Sequence, residues 1–126
     1  MEEVFTKGNM KAADEYMSVN LVEHNPFPGQ GPGVEGFKQG VSAFRQAFPD
    51  LRLELGDVFA AGEKVVARTT MKGTHRGAFM NMPPSGKQIS VEGIDIVRMS
   101  GGKAVEHWGI FDSLTMMQQL GAIPTP

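Results

Sequence analysis

The spacing of apolar residues changes from a helical period to a strand period partway along the chain. In "NMKAADEYM", residues 9–17, apolar side chains recur three and four positions apart, which predicts a first helix. The stretch "VEGFKQGVSAFRQAF" predicts a longer amphipathic helix, with apolar residues at Val34, Phe37, Val41, Phe44 and Phe48. Pro49 ends this second helix, because proline clashes inside a helix and restricts the residue before it.

A loop separates the two helices, and strands follow them. The segment "NPFPGQGPG", residues 25–33, holds three prolines and three glycines and therefore predicts a loop. After Pro49 the segments become alternating or rich in β-branched residues, which predicts strands. The strand segments are residues 51–55, 64–71, 88–99 and 103–112.

The last apolar pattern, in "DSLTMMQQLG", predicts a short helix that completes the fold. We expect Leu114, Met117 and Leu120 on one face of it, Asp112 as its N-cap and Gly121 as its C-cap. Two helices, about four strands and a final helix are typical of an α+β fold, with a curved antiparallel sheet wrapped around helices. Since no repeat, charge block or linker divides the chain, we expect a single domain over residues 1–126.

Composition narrows the classes of function. The chain has 126 residues and a formal net charge of -2, which gives no electrostatic reason to expect nucleic acid or an anionic membrane as a partner. No apolar run approaches the ~20 residues of a membrane span, and "MEEVFTKGNM" lacks the regions of a signal peptide. The absence of cysteine excludes disulfides and thiolate chemistry. These features predict a cytoplasmic protein.

The segment "MSGGK", residues 99–103, decides which side chains of the last two strands share a face. A three-residue loop over residues 100–102 would pair Asp95 with His107. A two-residue loop would shift the pairing by one residue and place Asp95 and His107 on opposite faces. The side-chain pattern favours the three-residue loop.

With that loop, one face of the two strands is mostly apolar but carries an acid and a histidine. The face consists of Val91, Gly93, Asp95, Val97, Val105, His107, Gly109 and Phe111. The two glycines leave space beside the carboxylate and the imidazole. An apolar concavity with a few polar groups is typical of a small-molecule site. The sequence therefore predicts that Asp95 and His107 meet in a ligand pocket.

Five segments together resemble the SnoaL-like polyketide cyclase (ester cyclase) family, which has the cone-shaped fold of nuclear transport factor two. The segments are "VEHNP" at 22–26, "AFPDL" at 47–51, "GTHRGAFMNMPPSGK" at 73–87, "VEGIDIVRMSGGKAVEHWGIFD" at 91–112 and "QQLG" at 118–121. The resemblance implies a cone-shaped α+β fold and an enzyme that closes a ring by an intramolecular aldol reaction, without metal or cofactor. In that chemistry an acid/base residue removes a proton next to a carbonyl, and pocket donors stabilise the enolate.

The resemblance also implies where the acid/base residue lies. In the family this residue directly follows the tryptophan of the motif, a position that Gly109 holds here. We therefore expect Asp95 to take its place, with His107 as the orienting partner. The family's first helix begins before the segment that matches residues 2–9, so we expect a shorter helix over the mouth of the cone and a more open pocket. An open pocket keeps charges hydrated and weakens any pKa shift that burial causes.

Other residues are candidates for contact with the ligand or with a second subunit. We expect the substrate-binding wall to include His24, His75, Phe48, Phe111, Gly93 and Gly109. Glu106 and Trp108 share the opposite face of their strand, and we expect them at a surface or an interface. No two histidines have a spacing that suits a metal site, so no metal or other cofactor is expected.

Three functions stay open from the sequence. The first is a cofactor-independent cyclase or isomerase acting on a polyketide-like or other apolar carbonyl substrate. The second is a non-catalytic ligand-binding module, because this scaffold hosts both kinds of protein. The third is an epoxide hydrolase of the limonene-epoxide-hydrolase type, for which Arg68 and Arg98 are candidates. Arg98 shares the face of Glu106, so this third function needs the other strand register.

The expected partners follow from the two faces of the sheet. The pocket face predicts a small apolar ligand. The opposite face would expose Ile94, Ile96, Trp108 and Ile110 together. Because such a patch is too large to leave in water, we expect a homodimer, or a higher homo-oligomer, through that face.

Overall fold

The computed structural model describes residues 10–26 and 30–123, and this part of the chain contains three helices and five strands. In chain order they are α1 (Met10–Tyr16), β1 (Met17–Glu23), α2 (Gly33–Ala47), β2 (Arg52–Ala61), β3 (Lys64–Thr74), β4 (Gln88–Ser100), β5 (Lys103–Phe111) and α3 (Ser113–Leu120). The three helices and the four strands that the sequence predicts are confirmed. Strand β2 extends well beyond the predicted residues 51–55.

The five strands form one curved sheet in the order β1-β5-β4-β3-β2. Strands β2 to β5 are antiparallel neighbours, as the sequence predicts. Strand β1 was not predicted, and it pairs in parallel with β5. Its segment "MSVNLVE" buries Leu21 alone, so it lacks the strong alternation that marks a half-buried strand. The α+β fold is therefore confirmed, with one parallel edge strand added.

The turn between β4 and β5 differs from the predicted one. Ser100 pairs with Lys103, which leaves a two-residue loop of Gly101 and Gly102. Both glycines have a positive φ, 59° and 79°, as a two-residue type I′ turn requires. The prediction of a three-residue loop is therefore wrong.

A β-bulge next to this turn offsets the shorter loop and decides which side chains of β5 share a face with Asp95. Met99 pairs with Ala104 but Arg98 pairs with Glu106, so β5 carries one extra residue at Val105. The extra residue shifts the register once more and returns Asp95 and His107 to one face. The predicted pairing of these two residues is wrong, since Asp95 lies opposite Gly109 and His107 lies opposite Val97.

Helix α2 lies against the concave face of the sheet and connects two apolar clusters. The larger cluster contains Phe44, Ala47, Phe48, Leu51, Leu53, Met71, Ile89, Val91, Met116 and Leu120. The smaller one contains Ala12, Ala13, Leu21, Val34, Phe37, Val41 and Ala104. The three- and four-residue spacing of α2 therefore buries one stripe along its whole length. Phe27, in the predicted loop of residues 25–33, lies outside the described residues.

Helix α3 packs against the larger cluster and contributes residues to it. Asp112 caps its N-terminus by accepting a hydrogen bond from the Thr115 N–H, as predicted, and Gly121 ends it at a φ of 79°. The buried face differs from the predicted one. Met116 and Leu120 are buried, whereas Leu114 is 60% exposed. The helix is rotated so that the unbranched Met116 side chain fills the core.

Candidate active site

A cavity opens on the concave face of the sheet, between α2 and strands β2 to β5. Its free volume is about 100 Å³. The apolar side chains of its wall are those of Phe37, Val41, Phe44, Leu53, Met71, Val91 and Phe111. Its polar part comes from Glu23, Asn25, Gln30, Thr69, Asp95 and His107, with Gly93 and Gly109 completing the wall. Most of these side chains come from strands, which hold them rigidly.

Asp95 and His107 meet inside this cavity. His107 Nε2 lies 2.8 Å from Asp95 Oδ1, which is hydrogen-bond distance. Asp95 lies on β4 and His107 on β5, two positions away from direct pairing, so the contact runs diagonally across the ladder. Thr69 on β3 donates its hydroxyl to the second carboxylate oxygen, Oδ2, at 3.2 Å. The carboxylate is thus held on both oxygens by neighbouring strands.

Glu23 holds the other side of the imidazole. His107 Nδ1 lies 2.6 Å from Glu23 Oε1, and the two side chains are only 13% and 9% exposed. Burial alone would lower the pKa of His107, but the hydrogen bonds to Asp95 and Glu23 and the charges of both carboxylates outweigh it and raise that pKa to about 9. His107 is therefore an imidazolium at neutral pH, and it donates to one carboxylate from each ring nitrogen.

Asn25 closes the site at the end of β1. Its side-chain Oδ1 accepts the Gly109 N–H at 3.0 Å, where the next residue of β1 would otherwise accept in the parallel ladder. Since a backbone N–H must bond to the amide oxygen, this contact fixes the orientation of the Asn25 amide. Its own N–H donates to Glu23 Oε2 at 3.1 Å. Asn25 is also part of the wall of the cavity.

Gly109 leaves room for this arrangement. A Cβ at Gly109 would lie 2.7 Å from Asp95 Oδ1 and 2.8 Å from His107 Cε1. Such distances are shorter than van der Waals contact, so any larger residue here would displace the carboxylate or the ring. A side chain at position 109, where the family resemblance implies the acid, would therefore point at the Asp95–His107 pair.

His24 does not lie in the cavity, contrary to the prediction. Its ring stacks on Trp108 with a centroid separation of 4.6 Å, and its Nε2 lies 2.7 Å from Glu106 Oε2. Trp108 and Glu106 lie on the convex face of the sheet. Glu23 faces the cavity from β1, and the next residue, His24, still bonds to β5 through its backbone N–H, so strand alternation places its side chain on the convex face.

His75 and Phe48 are core residues rather than cavity residues, which corrects a second prediction. His75 is 1% exposed, and its Nδ1 lies 2.9 Å from Ser85 Oγ and accepts the Ser85 N–H. Phe48 is fully buried, and its ring centroid lies 5.5 Å from that of His75. Both residues anchor the segment between β3 and β4. Of the predicted binding residues, Gly93, Gly109 and Phe111 do line the cavity.

The two arginines of the epoxide-hydrolase alternative also lie outside the cavity. Arg98 donates to Glu106 Oε1 at 2.6 Å on the convex face. Arg68 pairs with Asp57 at 3.3 Å, at a position level with the exposed Ile94. Because neither guanidinium lines the cavity, the geometry gives that alternative no arginine beside Asp95.

The convex face carries the apolar patch that the sequence predicts. Ile94 is 50% and Ile110 is 73% exposed, while Ile96 and Trp108 are half-buried. Lys64 on β3 places its Nζ 4.9 Å from the centroid of the Trp108 ring, so a cation borders the apolar residues. The patch is therefore apolar at its centre and charged at its rim.

Two further features concern metal ions and membranes. In residues 10–26 and 30–123, no cluster of three or more His, Asp or Glu side chains has a geometry that could hold a metal ion. The three residues Glu23, His107 and Asp95 form a linear chain of hydrogen bonds instead of a cage. No helix in the same ranges is long and apolar enough to cross a membrane.

The fold and the cavity define a class of protein: a cone-shaped α+β scaffold with a carboxylate–imidazolium pair inside a small apolar pocket. Comparison with known proteins gives the family. The sequence model of the SnoaL-like polyketide cyclases matches residues 1–120. The chain therefore belongs to the SnoaL-like polyketide cyclase family.

Curated relatives and a solved structure agree with this assignment. Aklanonic acid methyl ester cyclase DnrD of Streptomyces peucetius is 33% identical over 114 residues, which are 89% of this chain and 77% of DnrD. Nogalonic acid methyl ester cyclase of Streptomyces nogalater is 30% identical over 125 residues, 96% of this chain and 92% of that cyclase. The structure of TsrD from Streptomyces laurentii superposes with a TM-score of 0.89 at 30% identity, covering 97% of this chain and 90% of TsrD.

The sequence did not point to Glu23, Asn25 or Thr69 as site residues. Glu23 and Asn25 flank His24 in "VEHNP", a segment from which the sequence predicts only the histidine as a site residue. A strand prediction for "MSVNLVE" would have placed Glu23 beside the last strand. Thr69 could have been found from the alternation of β3, since Thr69 and Met71 share a face.

Proposed function

We propose that this protein is a cofactor-independent cyclase that closes a carbocyclic ring by an intramolecular aldol reaction, with Asp95 as the acid/base residue. The observation that carries the proposal is the hydrogen-bonded chain Glu23–His107–Asp95 inside an apolar cavity. A polyketide carboxylic ester is the proposed substrate class, since the curated relatives are named as methyl ester cyclases.

Each polar group of the cavity has a defined part in the proposed reaction. The Asp95 carboxylate removes a proton from a carbon flanked by carbonyl groups, and an enolate forms. The enolate carbon attacks a second carbonyl of the same molecule, one carbon–carbon bond forms, and the resulting alkoxide takes the proton back from Asp95. Atoms and charges balance without an oxidant or an external nucleophile.

His107 and its neighbours stabilise the charge that develops in this reaction. The His107 imidazolium lies beside Asp95 throughout, so positive charge is in place before the enolate forms. Glu23 is a positioning residue, because it holds the ring and its second proton from the far side. Asn25 supplies an amide donor at the cavity wall that suits an enolate or alkoxide oxygen, while Thr69 keeps its hydroxyl on Asp95 Oδ2.

The reaction itself is the test of this proposal. Purified protein is incubated with aklanonic acid methyl ester or nogalonic acid methyl ester, and ring closure is followed by chromatography and mass spectrometry. We expect turnover by the wild type, with substrate affinity kept but turnover lowered at least ~100-fold in Asp95→Asn. Turnover that is unchanged in Asp95→Asn would remove the assigned acid/base residue. Binding of both esters without turnover by the wild type would favour the non-catalytic alternative.

We also propose that the apolar patch on the convex face forms a homodimer. Its support is the exposure of Ile94 and Ile110 beside the half-buried Ile96 and Trp108. A two-fold contact would remove this apolar surface from water while leaving the cavity mouth on the opposite face free. The cytoplasmic location stays a prediction from the sequence, which cell fractionation would test.

A further inference from the structure

The cavity that holds Asp95 and His107 is too small for a ligand of several rings. Its free volume is about 100 Å³. A cavity of roughly 150 Å³ holds one benzene ring, and sites for drug-sized ligands have about 300–1,000 Å³. The cavity therefore holds one ring at most, and the remaining rings of a larger ligand must lie in an adjoining space or outside the mouth.

A groove of about 530 Å³ lies next to the cavity, between α2 and the segment at residues 78–81. Two aromatic rings, those of Phe44 and Phe79, contribute to its lining. Side-chain amides of Gln39, Gln46 and Asn81 also line it. Amides both donate and accept hydrogen bonds, so they suit phenol hydroxyls and ketones alike. The lining thus matches a flat aromatic group with oxygen substituents on its edge.

Phe44 is the partition between the cavity and the groove. Its side chain belongs to the wall of both spaces, although the residue is only 3% exposed. The ring packs at 5.2 Å from the Phe79 centroid on the groove side and at 6.4 Å from the Phe48 centroid in the core. Displacement of the Phe44 ring would therefore join the two spaces.

The turn beside the groove is strained, which is a second and independent observation. Phe79 and Met82 exchange two backbone hydrogen bonds of 3.0 and 2.8 Å, so residues 79–82 form a tight turn. Met80 at its tip has a φ of 47° and Asn81 a φ of 65°. Asparagine tolerates this region, but methionine seldom adopts it, and strained backbone concentrates at ligand-binding segments. The turn holds Phe79 against Phe44.

We propose that this groove is a second part of the ligand site, which receives the outer rings of a multi-ring, oxygen-substituted aromatic ligand when Phe44 moves. The proposal rests on the proposed function, because it extends the same site and the same class of ligand. Phe44 then determines specificity for ligand length: in its present position it admits a single ring, and displaced it admits several. The amides of the groove select ligands with oxygen on the outer rings.

Two unreactive probes of different length test the groove by isothermal titration calorimetry. They are 2′-hydroxyacetophenone, with one ring, and 1,8-dihydroxyanthraquinone, with three. Ala43→Trp fills the groove from an exposed position of α2, and Glu35→Trp places the same side chain on α2 outside the groove. Phe44→Leu shortens the partition.

We expect Ala43→Trp to weaken binding of the three-ring probe at least ~10-fold, since its outer rings lose the groove. Binding of the one-ring probe should stay within about twofold, and Glu35→Trp should bind both probes as the wild type does. Phe44→Leu should strengthen binding of the three-ring probe alone.

Three results would overturn the proposal that the groove receives the outer rings of the ligand. The first is equal affinity of Ala43→Trp and wild type for the three-ring probe, which would place the outer rings outside the mouth. The second is an equal loss for both probes, and the third is no binding of the three-ring probe by the wild type. Neither probe can react, so these results are independent of turnover. Unchanged turnover in Asp95→Asn would count against the proposed function alone.

Discussion

Gly109 lies directly opposite Asp95 in the β4–β5 ladder, and a Cβ at this position would come within 2.7 Å of Asp95 Oδ1. The contact is with the end of a side chain, so an alanine here would push the carboxylate aside instead of distorting the sheet. The hydrogen bond that His107 Nε2 donates to Asp95 Oδ1 would be the first interaction to break.

We therefore predict that Gly109→Ala lowers kcat/KM by about 10- to 100-fold, because misplacing a catalytic group by a fraction of an ångström has effects of this size. The melting temperature should change little. The measurement is steady-state cyclisation kinetics of Gly109→Ala, Asp95→Asn and the double variant. If the glycine acts through Asp95, the double variant is no slower than Asp95→Asn alone. Fully additive losses would contradict this reading.

A second prediction concerns the pH dependence of stability. The folded protein raises the pKa of His107 from its ordinary value of 6.5 to about 9. The resulting stabilisation is fully present below pH 6.5 and is lost as the pH rises through about 9, because both states are then unprotonated. Compared with wild type, His107→Gln should be less stable by on the order of 2 kcal/mol at pH 6, and this difference should shrink at pH 10.

Urea unfolding at pH 6, 8 and 10 measures this difference in unfolding free energy. Glutamine at position 107 keeps a hydrogen-bond donor toward one carboxylate but does not titrate. The comparison therefore separates the effect of the His107 charge from that of the hydrogen bond. A difference that stays constant from pH 6 to pH 10 would mean that His107 is neutral in the folded protein.

A third prediction separates Glu23 from a purely structural role. Glu23→Gln keeps a side chain of the same shape but removes one of the two negative charges beside His107. The pKa of His107 should fall, so the alkaline limit of kcat should move to lower pH by about one unit. KM should change less than kcat, since Glu23 acts through the imidazolium.

The matched control for this variant is Glu106→Gln. Glu106 also bonds to a histidine, His24, but the pair lies on the convex face away from the cavity. Its pH–rate profile should coincide with that of the wild type. A Glu23→Gln profile that falls in height without moving along the pH axis would reduce Glu23 to a packing role.

A fourth prediction tests the convex face. Ile110→Lys places a charge at the centre of the apolar patch, where Ile110 is 73% exposed. If this face forms a dimer, the variant should be monomeric by light scattering at concentrations where the wild type is dimeric, because burying an unpaired ammonium is costly. Leu114→Lys adds the same charge at a 60% exposed position of α3 and should leave the dimer intact. A wild type that is monomeric would refute the interface.

The sequence predicted the elements of this fold better than their details. Helix α2 could be found because Val34, Phe37, Val41 and Phe44 repeat at steps of three and four residues, and the long strands could be found from their composition. Strand β1 could not, since a short edge strand with one fully buried residue has no clear period. Glu23 was therefore missed, although it binds the central histidine.

The sequence placed Asp95 and His107 on one face because two differences between the predicted and the observed hairpin compensate each other. The predicted loop was one residue too long, and the bulge at Val105 supplied that residue elsewhere in the strand. The face on which His107 lies depends on the combined number of residues in the loop and the bulge. The pattern of apolar residues along the strand indicates that face directly. The facing of His24 follows from strand alternation after Glu23, and it was mispredicted because strand β1 was not predicted. The placement of His75 depends on how the chain turns after β3, which a side-chain pattern does not encode.

The bulge at Val105 is an extra residue that the ladder accommodates without changing the pairs on either side of it. Without Val105, Ala104 would still lie opposite Met99 and Glu106 opposite Arg98, so His107 would still meet Asp95. By contrast, one residue gained or lost between His107 and Gly109 would place the side chains on its two sides in the wrong alternation. The hairpin can therefore change in length at its tip and at the bulge and keep the site, whereas the paired stretch that carries Asp95 and His107 tolerates no such change.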